Sequence, residues 1–423
     1  MRLTDEILKS KYGVSERALK IGREAQAQCA SAFSQIEETT EFNQLKVLEA
    51  FRQCRLAPNH FSPSYGYGYS DAGREKLEEL FALVFNAPKA IVRPQIASGT
   101  HALALTLYGL LGRGDKLIYA SGRPYDTLEE IIGASEESKG SLKELGVEFE
   151  AIPCENGLEY ELIGQICAEQ KPALVAFQRS RGYALRPSLC CGQLKKAFEI
   201  VRAASPESII MVDNCYGEFV EECEPIELGA DIIAGSLIKN PGGGLAPTGG
   251  YIAGRADLIE RIGYRLTSPG IGLEVGSYAA SYLPFFQGLF LAPHVVGQAL
   301  KGAVFASNVY SRLGYRVSPL PGEKRGCIIQ SLGFNTAQEL IAFCQDVQRV
   351  SPVESHVLPE PWDMPGYQDQ VIMAAGAFIQ GASIELSADA PIRPPYTAYM
   401  QGGLVWEQVK AAVLKHISGL KAD

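Results

Sequence analysis

The hydrophobic pattern in the middle of the chain alternates between two periods. From about residue 90, short apolar runs are followed by segments whose apolar residues recur at three- and four-residue steps. The first pattern is typical of buried strands and the second of amphipathic helices. The predicted strands are Lys116–Ala120, Glu148–Ile152, Ala173–Gln178, Ile209–Asp213, Ile232–Ser236 and Gly250–Ala253. The predicted helices are Thr100–Leu111, Tyr125–Ile132, Leu189–Ala203 and Ala256–Ile262. This α/β alternation predicts a mostly parallel sheet that is flanked by helices.

The two ends of the chain show different patterns. Helical periodicity over Ile21–Phe33 and Phe42–Cys54 predicts an N-terminal helical arm, and a helix over Glu75–Phe85 follows a tyrosine- and glycine-rich break. Prolines interrupt the pattern before a helix over His294–Arg312. Beyond it we predict the strands Gly326–Leu332 and Ala382–Leu386 and the helices Thr336–Val350 and Val405–Leu420. We therefore expect an arm (1–60), a large domain (61–293) and a smaller α+β C-terminal domain (294–423).

Composition narrows the class of protein. The apolar fraction of 46% and the charged fraction of 21% are those of a globular protein, and the net charge of −9 argues against nucleic acid or an anionic membrane as the main partner. No run of 18 apolar residues predicts a transmembrane helix, and the N-terminus lacks the apolar core of a signal peptide. Ten scattered cysteines without a Cys-x-x-Cys motif, and five scattered histidines, predict a cytoplasmic protein with reduced thiols and no metal site.

Two ionisable residues follow predicted strands and point to one cofactor. Ligands of such sheets bind at the carboxyl ends of the strands, where Asp213 and Lys239 both lie. A lysine amine can form a Schiff base with an aldehyde, and an aspartate can keep a pyridine nitrogen protonated, so the pair predicts pyridoxal 5′-phosphate. The alternatives are a surface lysine and a turn aspartate. The apolar residues 232–235, which precede Lys239 in the sequence, argue against a surface lysine.

A phosphate site is predicted where residues 95–102 run into a helix. Ser98 or Thr100 can cap that helix, and Gly99 permits close approach of the backbone. A helix N-terminus with free amides suits a phosphate. Ser236 is expected to reach the same phosphate from the turn that carries Lys239. An ordinary helix cap is the alternative.

Three further features have open interpretations. Tyr125 is placed to lie over a pyridine ring, or else to pack in the core. Arg179 and Arg181 follow a strand and suit a carboxylate or phosphate, or else form a solvated turn. The glycine run at 242–244 lacks the ending of a nucleotide-binding P-loop. We interpret these glycines as giving the backbone at Lys239 the freedom to move aside, or as allowing close packing at a subunit contact.

These motifs resemble those of a known group of enzymes. The set formed by Ser98-Gly99-Thr100, Tyr125, Asp213 and Ser236-x-x-Lys239 is similar to the cystathionine/methionine gamma-lyase group of fold-type-I pyridoxal-phosphate enzymes. Longer stretches resemble its branch of methionine gamma-lyase-related or aluminium-resistance proteins, and the likeness covers nearly the whole chain. Those stretches are residues 67–74, 93–101, 124–130, 178–183 and 383–389.

The resemblance implies the fold-type-I transferase fold and a role for each site residue. Lys239 would carry the Schiff base and Asp213 would pair with the pyridinium nitrogen. Gly99, Thr100 and Ser236 would hold the phosphate, and Tyr125 would stack on the ring.

The resemblance also implies that subunits share their sites. In the wider group a tyrosine and an arginine from a neighbouring subunit complete the phosphate site, and Tyr67 or Tyr69 and Arg74 occupy the corresponding stretch here. This implies a homodimer as the catalytic unit, paired into a homotetramer.

The expected activity is that of a carbon–sulfur lyase. Lys239, with a lowered pKa, would remove a proton from a sulfur-containing amino acid, and β- or γ-elimination would give a thiol, a 2-oxo acid and ammonia. The wider group binds the substrate carboxylate with an arginine in a C-terminal strand, where this chain has Glu385. Arg393, Arg179 or Arg181 is expected to replace it. The alternatives are transamination, racemisation or side-chain replacement on the same cofactor, and a pyridoxal-phosphate-binding stress-response protein with little turnover.

Overall fold

The computed structural model describes residues 3–134, 139–364 and 369–420. The chain divides into two compact units, one formed by residues 42–292 and the other by residues 1–41 together with 293–423. The arm, large domain and small domain expected from the sequence stay a prediction, because this division groups the first 41 residues with the C-terminal part.

A seven-stranded sheet organises the unit formed by residues 42–292. Its strands are Lys89–Arg93 (β1), Lys116–Tyr119 (β2), Glu148–Ala151 (β3), Leu174–Gln178 (β4), Ile209–Asp213 (β5), Ile232–Ser236 (β6) and Gly250–Gly254 (β7). Their order across the sheet is β1-β7-β6-β5-β4-β2-β3. Strands β6, β5, β4, β2 and β3 run parallel, and only β7 is antiparallel to its neighbours.

Buried apolar side chains fix the helices of this unit on the sheet. Helix Gly99–Leu110 (α5) lies against β6 and β7 and is apolar on nearly all sides, as expected of a helix enclosed by a sheet and another helix. Its Leu103 and Leu107 join Ile232 and Ile252 in one core cluster. The remaining helices of the unit are Ala72–Val84 (α4), Asp126–Ile132 (α6), Tyr160–Gln170 (α7), Cys191–Ala204 (α8) and Ala256–Leu266 (α9).

A separate antiparallel sheet organises the other unit. Its strands are Arg316–Ser318 (β8), Gln330–Gly333 (β9), Val371–Ala374 (β10), Ser387–Pro391 (β11) and Thr397–Gln401 (β12), in the order β10-β11-β12-β9-β8. Helices Leu3–Tyr12 (α1), Glu16–Gln28 (α2), Ala337–Arg349 (α11) and Trp406–Gly419 (α12) belong to this unit. Its core includes Leu19, Phe305, Phe343 and Leu414. Helices Ala30–Gln53 (α3) and Leu283–Arg312 (α10) contain the two boundaries between the units.

The predicted fold class is confirmed, with corrections to individual elements. The six predicted strands of the central sheet are present to within a residue or two at each end, whereas β1 and α7 were missed. The strand expected at Ala382–Leu386 is wrong, because the strand begins only at Ser387. The carboxylate of Glu385 instead accepts hydrogen bonds from the backbone N–H groups of Phe378 and Ile379, which holds this segment in a turn.

Helix α10 corrects the expectation drawn from the prolines. It begins at Leu283 and not near His294, and it continues through Pro293. By length and composition it is the one described helix that could cross a membrane, but 72% of its apolar window is buried inside the protein. That burial is typical of a core helix.

The packing of α5 generates a stability prediction. Leu107 is fully buried in the core of the larger unit, so Leu107→Ala removes apolar contacts and leaves a cavity. We expect the free energy of unfolding in a denaturant titration to fall by about 2–5 kcal/mol. The matched control is Leu83→Ala on α4, since Leu83 is 39% exposed, and it should cost about 0.5 kcal/mol or less. Equal losses in the two variants would contradict the placement of α5.

Candidate active site

The register of three parallel strands brings the predicted residues to one edge of the sheet. Gln178 at the end of β4 lies beside Asp213 at the end of β5, and Asp213 lies beside Ala234 near the end of β6. Ser236 ends β6, and Lys239 follows three residues later. The sheet therefore places the carboxylate and the amine on neighbouring strand ends, as the sequence predicted.

The N-terminus of α5 lies against this edge. The Ser98 hydroxyl accepts a hydrogen bond from the His101 N–H (3.0 Å), which confirms that Ser98 caps the helix. Gly99 packs so closely on the strand ends that an added Cβ would lie 3.1 Å from Cβ of Ser236 and 3.5 Å from Sγ of Cys215. Only glycine keeps this space open. The arrangement forms a cradle that we call the α5 cradle, made of Ser98, Gly99, Thr100 and Ser236.

Tyr125 is held over the same region by two hydrogen bonds. Its hydroxyl lies 2.6 Å from Oγ1 of Thr100, and its backbone N–H donates to Oε1 of Gln178 (3.2 Å). Burial is the main cause that raises the pKa of Tyr125, and the Asp213 carboxylate acts in the same direction. The phenol is therefore neutral and can donate or accept a hydrogen bond. The hydrogen bond to Thr100 therefore fixes the flat ring of Tyr125 beside the α5 cradle.

Asp213 is a buried carboxylate beside a cation. It is 3% exposed, and its Oδ1 accepts a hydrogen bond from the Cys215 N–H (3.1 Å). Burial raises the pKa of Asp213, while the positive charge of Lys239 lowers it and opposes that shift. An additional buried cation, such as a protonated ring nitrogen, would favour the charged carboxylate further.

Lys239 lies over the ring of Tyr216, with Nζ 4.1 Å from the ring centroid. Burial lowers the pKa of this amine, but the neighbouring Cys215, Tyr216, Asp213 and Tyr125 together raise it well above its ordinary value. The lowered pKa expected from desolvation alone is therefore wrong for the free side chain. The physical reason is the number of acidic groups around it, of which Cys215 and Tyr216 were not identified from the sequence.

The segment after Asp213 contains residues that the sequence analysis missed. Cys215 lies beneath Gly99, and Tyr216 lies against Lys239 with a left-handed backbone (φ 71°). A left-handed conformation is uncommon for a residue other than glycine and marks a site where the surrounding structure imposes the backbone geometry. Only their position in the sequence, directly after Asp213, could have indicated that Cys215 and Tyr216 belong to the site.

Glu218 is a second buried acid near the lysine. Its Oε1 accepts a hydrogen bond from the Tyr251 hydroxyl (2.7 Å), while its Oε2 finds no hydrogen-bond partner among the described residues. Burial raises the pKa of Glu218 to about 8, although the Tyr251 hydrogen bond lowers it. Gly235 makes room for the pair, because a Cβ there would lie 2.5 Å from the Tyr251 ring.

The arginines after β4 lie inside the protein. Arg179 is fully buried, and its guanidinium donates to Asn214 (3.0 Å), Glu221 (3.0 Å) and Glu224 (3.4 Å). This pairing leaves no exposed donor for a substrate carboxylate, which corrects the expectation for Arg179. Arg181 is also buried, at 2% exposure.

The glycine-rich segment before α4 separates its arginine from its tyrosines. Tyr67 and Tyr69 are 71% and 66% exposed and line an open groove of about 390 Å³. Arg74 is buried, and its guanidinium donates to the backbone carbonyls of Gly68 (2.7 Å), Glu274 (3.4 Å) and Gly276 (3.4 Å). In this structure Arg74 thus supports the loop, whereas the tyrosines are open to solvent.

Two further predicted features, Arg393 and the glycine run after Lys239, make contacts with other parts of their own units. Arg393 belongs to the other unit, where it pairs with Asp369 (2.8 Å). The glycine run after Lys239 packs on α10, since a Cβ on Gly243 would lie 2.3 Å from the Gly288 carbonyl oxygen. Close packing within the chain therefore accounts for Gly243, and the subunit contact stays a prediction. Among residues 3–134, 139–364 and 369–420, no cluster of three histidine, cysteine or acidic side chains could hold a metal ion.

The fold of the protein is shared with solved structures of a known class. The fold is that of fold-type-I pyridoxal-phosphate-dependent enzymes, with a parallel sheet, flanking helices and a separate antiparallel sheet. One such structure is the pyridoxal-5′-phosphate-dependent protein YhfS from Escherichia coli. It superimposes with a TM-score of 0.61, and the match covers 91% of this chain and 97% of the YhfS chain. At 18% identity this likeness concerns the fold alone.

Closer relatives identify the family. The sequence model of the methionine gamma-lyase family matches residues 18–421, and the chain belongs to that family. YnbB of Bacillus subtilis, whose function is uncharacterized, is 50% identical over 404 residues, which cover 95% of this chain and 96% of that protein. The solved structure of a carbon–sulfur lyase involved in aluminum resistance from Clostridium novyi is 47% identical, covers 99% of both chains and superimposes with a TM-score of 0.95.

Glu218 generates a prediction about pH. The folded protein keeps the Glu218 proton up to about pH 8, whereas the unfolded chain loses it near pH 4.5. The stability contribution is therefore complete below pH 4.5 and is lost as the pH rises through 8. Between these values the unfolding free energy of the wild type should fall, relative to Glu218→Gln, by about 1.4 kcal/mol per pH unit. Denaturant titrations from pH 5 to 9 measure the difference.

The control for this prediction is Glu207→Gln, which changes an exposed glutamate of the same unit. Its stability should follow that of the wild type at every pH. Parallel pH profiles for the wild type and Glu218→Gln would show that Glu218 is already ionised in the folded protein.

Proposed function

We propose that this protein is a carbon–sulfur lyase that acts on a sulfur-containing amino acid and uses pyridoxal 5′-phosphate. One observation carries the proposal: the lysine amine and a buried carboxylate lie at neighbouring strand ends beside the α5 cradle. Membership of the methionine gamma-lyase family supports the reaction class. The relative from Clostridium novyi, named a carbon–sulfur lyase, supports it further.

The residues at the site fit the chemical groups of the cofactor. An aldehyde needs an amine, and Lys239 is the lysine at the strand ends. A pyridine nitrogen needs a buried acid, which Asp213 provides. A phosphate needs hydroxyl and amide donors, which the α5 cradle provides at the N-terminus of α5, and Gly99 keeps the space that a Cβ would fill.

The cofactor, when bound, supplies an electron sink that stabilises a negative charge at the substrate Cα. Asp213 holds a proton at the ring nitrogen, because its charged form is the one that a neighbouring cation favours. Lys239 would hold the cofactor through its amine, and as a free amine it would take the proton from Cα. Loss of a thiolate from Cβ, or from Cγ after a second proton has left Cβ, would give an unsaturated product that water hydrolyses to a 2-oxo acid and ammonia.

The surroundings of Lys239 set its protonation before the reaction. The free amine is a cation, because the nearby acidic groups raise its pKa despite burial. It must therefore lose a proton before it acts as a nucleophile or a base. The Tyr216 ring beneath Nζ limits the directions in which the amine can move. Tyr125 is held in place by its hydrogen bonds to Thr100 and Gln178.

The proposal includes a homodimer as the catalytic unit. Two tyrosines of the segment before α4, Tyr67 and Tyr69, are highly exposed although aromatic side chains gain most from burial. Contact with a second subunit would cover them and would bring their hydroxyls to the partner's cofactor phosphate. Arg74 is assigned a supporting role, since it binds the backbone of its own loop. Pairing of dimers into a tetramer belongs to the same proposal.

Turnover of sulfur amino acids tests the reaction. Wild-type protein incubated with cysteine, cystathionine, methionine or homocysteine should release thiol and 2-oxo acid in equal amounts. Asp213→Asn should keep the fold but lose roughly 10²–10³-fold in kcat, which is about 3–4 kcal/mol of transition-state stabilisation. Amino-group transfer without thiol release would favour a transaminase. Near-normal turnover of Asp213→Asn would contradict the role of the carboxylate.

Subunit complementation tests the shared site. We expect a Lys239→Ala subunit and a Tyr67→Ala/Tyr69→Ala subunit to be inactive alone. Random mixing should restore roughly a quarter of wild-type activity, because half of the dimers then contain one intact site. Tyr65→Ala, at an equally exposed tyrosine of the same loop, is the control and should be active by itself. Proven mixing without recovery would reject the shared site.

A further inference from the structure

Two cysteines that are distant in sequence meet beside the N-terminus of α8. Cys191 is the first residue of that helix, and Cys223 lies in the irregular segment 214–224, which we call the 214–224 loop. The Cys191 thiol donates a hydrogen bond to the Cys223 carbonyl oxygen (3.1 Å), so the two residues are in direct contact. Among the described residues, all ten cysteines are free thiols.

The buried guanidinium of Arg179 contacts one thiol of this pair. Nη2 of Arg179 is 3.4 Å from Sγ of Cys191 and 3.0 Å from Oε2 of Glu221. The same Glu221 oxygen accepts a hydrogen bond from the Cys191 N–H (2.8 Å). Helix N-termini and guanidinium groups both favour a thiolate. Arg179 therefore favours a thiolate at this pair, whereas the carboxylates of Glu221 and Glu224 oppose it.

The two thiols differ in access and acidity. Cys191 is buried, whereas Cys223 is partly exposed. The hydrogen bond from Cys191 lowers the pKa of Cys223, and the charge of Arg179 acts in the same direction against burial and Glu221. The sulfur that solvent reaches is thus also the more acidic of the two.

The 214–224 loop connects the thiol pair to the lysine. Asn214 follows Asp213 and accepts a hydrogen bond from Arg179 (3.0 Å), and Tyr216 of the same loop lies against Lys239. Gly217 packs flat on the Arg179 side chain, since a Cβ there would lie 2.2 Å from Cδ of Arg179. A change in the position of Cys223 is therefore transmitted to a loop that has little room to adjust.

We propose that Cys191 and Cys223 form a reversible disulfide, with a hydroperoxide as the oxidant, and that this bond displaces the 214–224 loop and slows the reaction at Lys239. The first part, the formation of the bond, depends only on the thiol pair. The second part rests on the proposed lyase function.

The chemistry balances in two steps. The Cys223 thiolate attacks hydrogen peroxide, the O–O bond breaks, and with one proton the products are a sulfenic acid and water. The Cys191 thiol then attacks the sulfenic sulfur, so an S–S bond forms and a second water leaves. In total two thiols are oxidised, one peroxide is reduced, and a thiol reductant reverses the change.

Peptide mapping tests the bond. The wild type is treated with limited hydrogen peroxide, alkylated and digested with trypsin and a glutamate-specific protease. The second protease separates Cys215 from Cys223, because Glu218, Glu221 and Glu222 lie between them. We expect a cross-linked peptide that contains Cys223 and the Cys190-Cys191 pair, and that disappears after reduction. Absence of this peptide, when exposed thiols elsewhere are oxidised, would overturn the proposal.

Matched variants identify which cysteine bonds to Cys223 and measure the effect of the bond on turnover. Cys190→Ser, at the neighbouring position, should still form the cross-link, whereas Cys191→Ser and Cys223→Ser should not. A cross-link that persists in Cys191→Ser would assign the bond to Cys190 and contradict the proposal. Oxidation should lower turnover by about tenfold in the wild type and in Cys190→Ser, reversibly, because small displacements near reacting groups have effects of this size or greater. Cys223→Ser should keep its turnover under the same treatment.

The formation of the disulfide and its effect on turnover can fail independently of each other. If the reduced wild type shows no lyase turnover, the proposed function fails, while the peptide map still decides whether the bond forms. If the bond forms and turnover is unchanged, the connection from Cys223 through the 214–224 loop to Lys239 is disproved.

Discussion

The site depends on a buried carboxylate that interacts with a lysine amine across adjacent strand ends. Asp213 leaves water when β5 enters the sheet, and burial alone raises the pKa of its carboxyl group. Lys239, which follows the neighbouring strand β6, offsets that cost. Neither charge would be stable there alone, so the parallel register of β5 and β6 is the condition for both. A cofactor with a cationic ring and an aldehyde fits the same pair of charges.

The 214–224 loop couples that pair to the surrounding structure. It starts directly after Asp213, places Tyr216 under the lysine and encloses Arg179 with Asn214, Glu221 and Glu224. An arginine that sequence position suggests for substrate binding is thus used to fix a loop. Glu385, at the C-terminal position where the resemblance implied an arginine, binds the backbone of its own turn, and substrate binding by Arg181 or Arg393 stays a prediction.

The parts of the fold that follow from local pattern were predictable. Strands β2 to β7 are apolar runs bounded by turn residues, and the rule that ligands bind at the carboxyl ends of strands located Asp213, Ser236 and Lys239. The roles of Arg179, Arg74 and Glu218 were not predictable, because their partners are set by tertiary packing. The pKa of Lys239 was misjudged for the same reason: two of the four acidic groups around it, Cys215 and Tyr216, had not been placed there.

The most direct test of the central claim is the location of the covalent bond to the cofactor. Purified protein should be yellow with bound pyridoxal phosphate, borohydride should remove the visible band, and peptide mapping should find the reduced adduct on Lys239. Lys239→Ala, treated in the same way, should carry no adduct. An adduct on another lysine, or a wild-type protein that never binds the cofactor, would contradict the account.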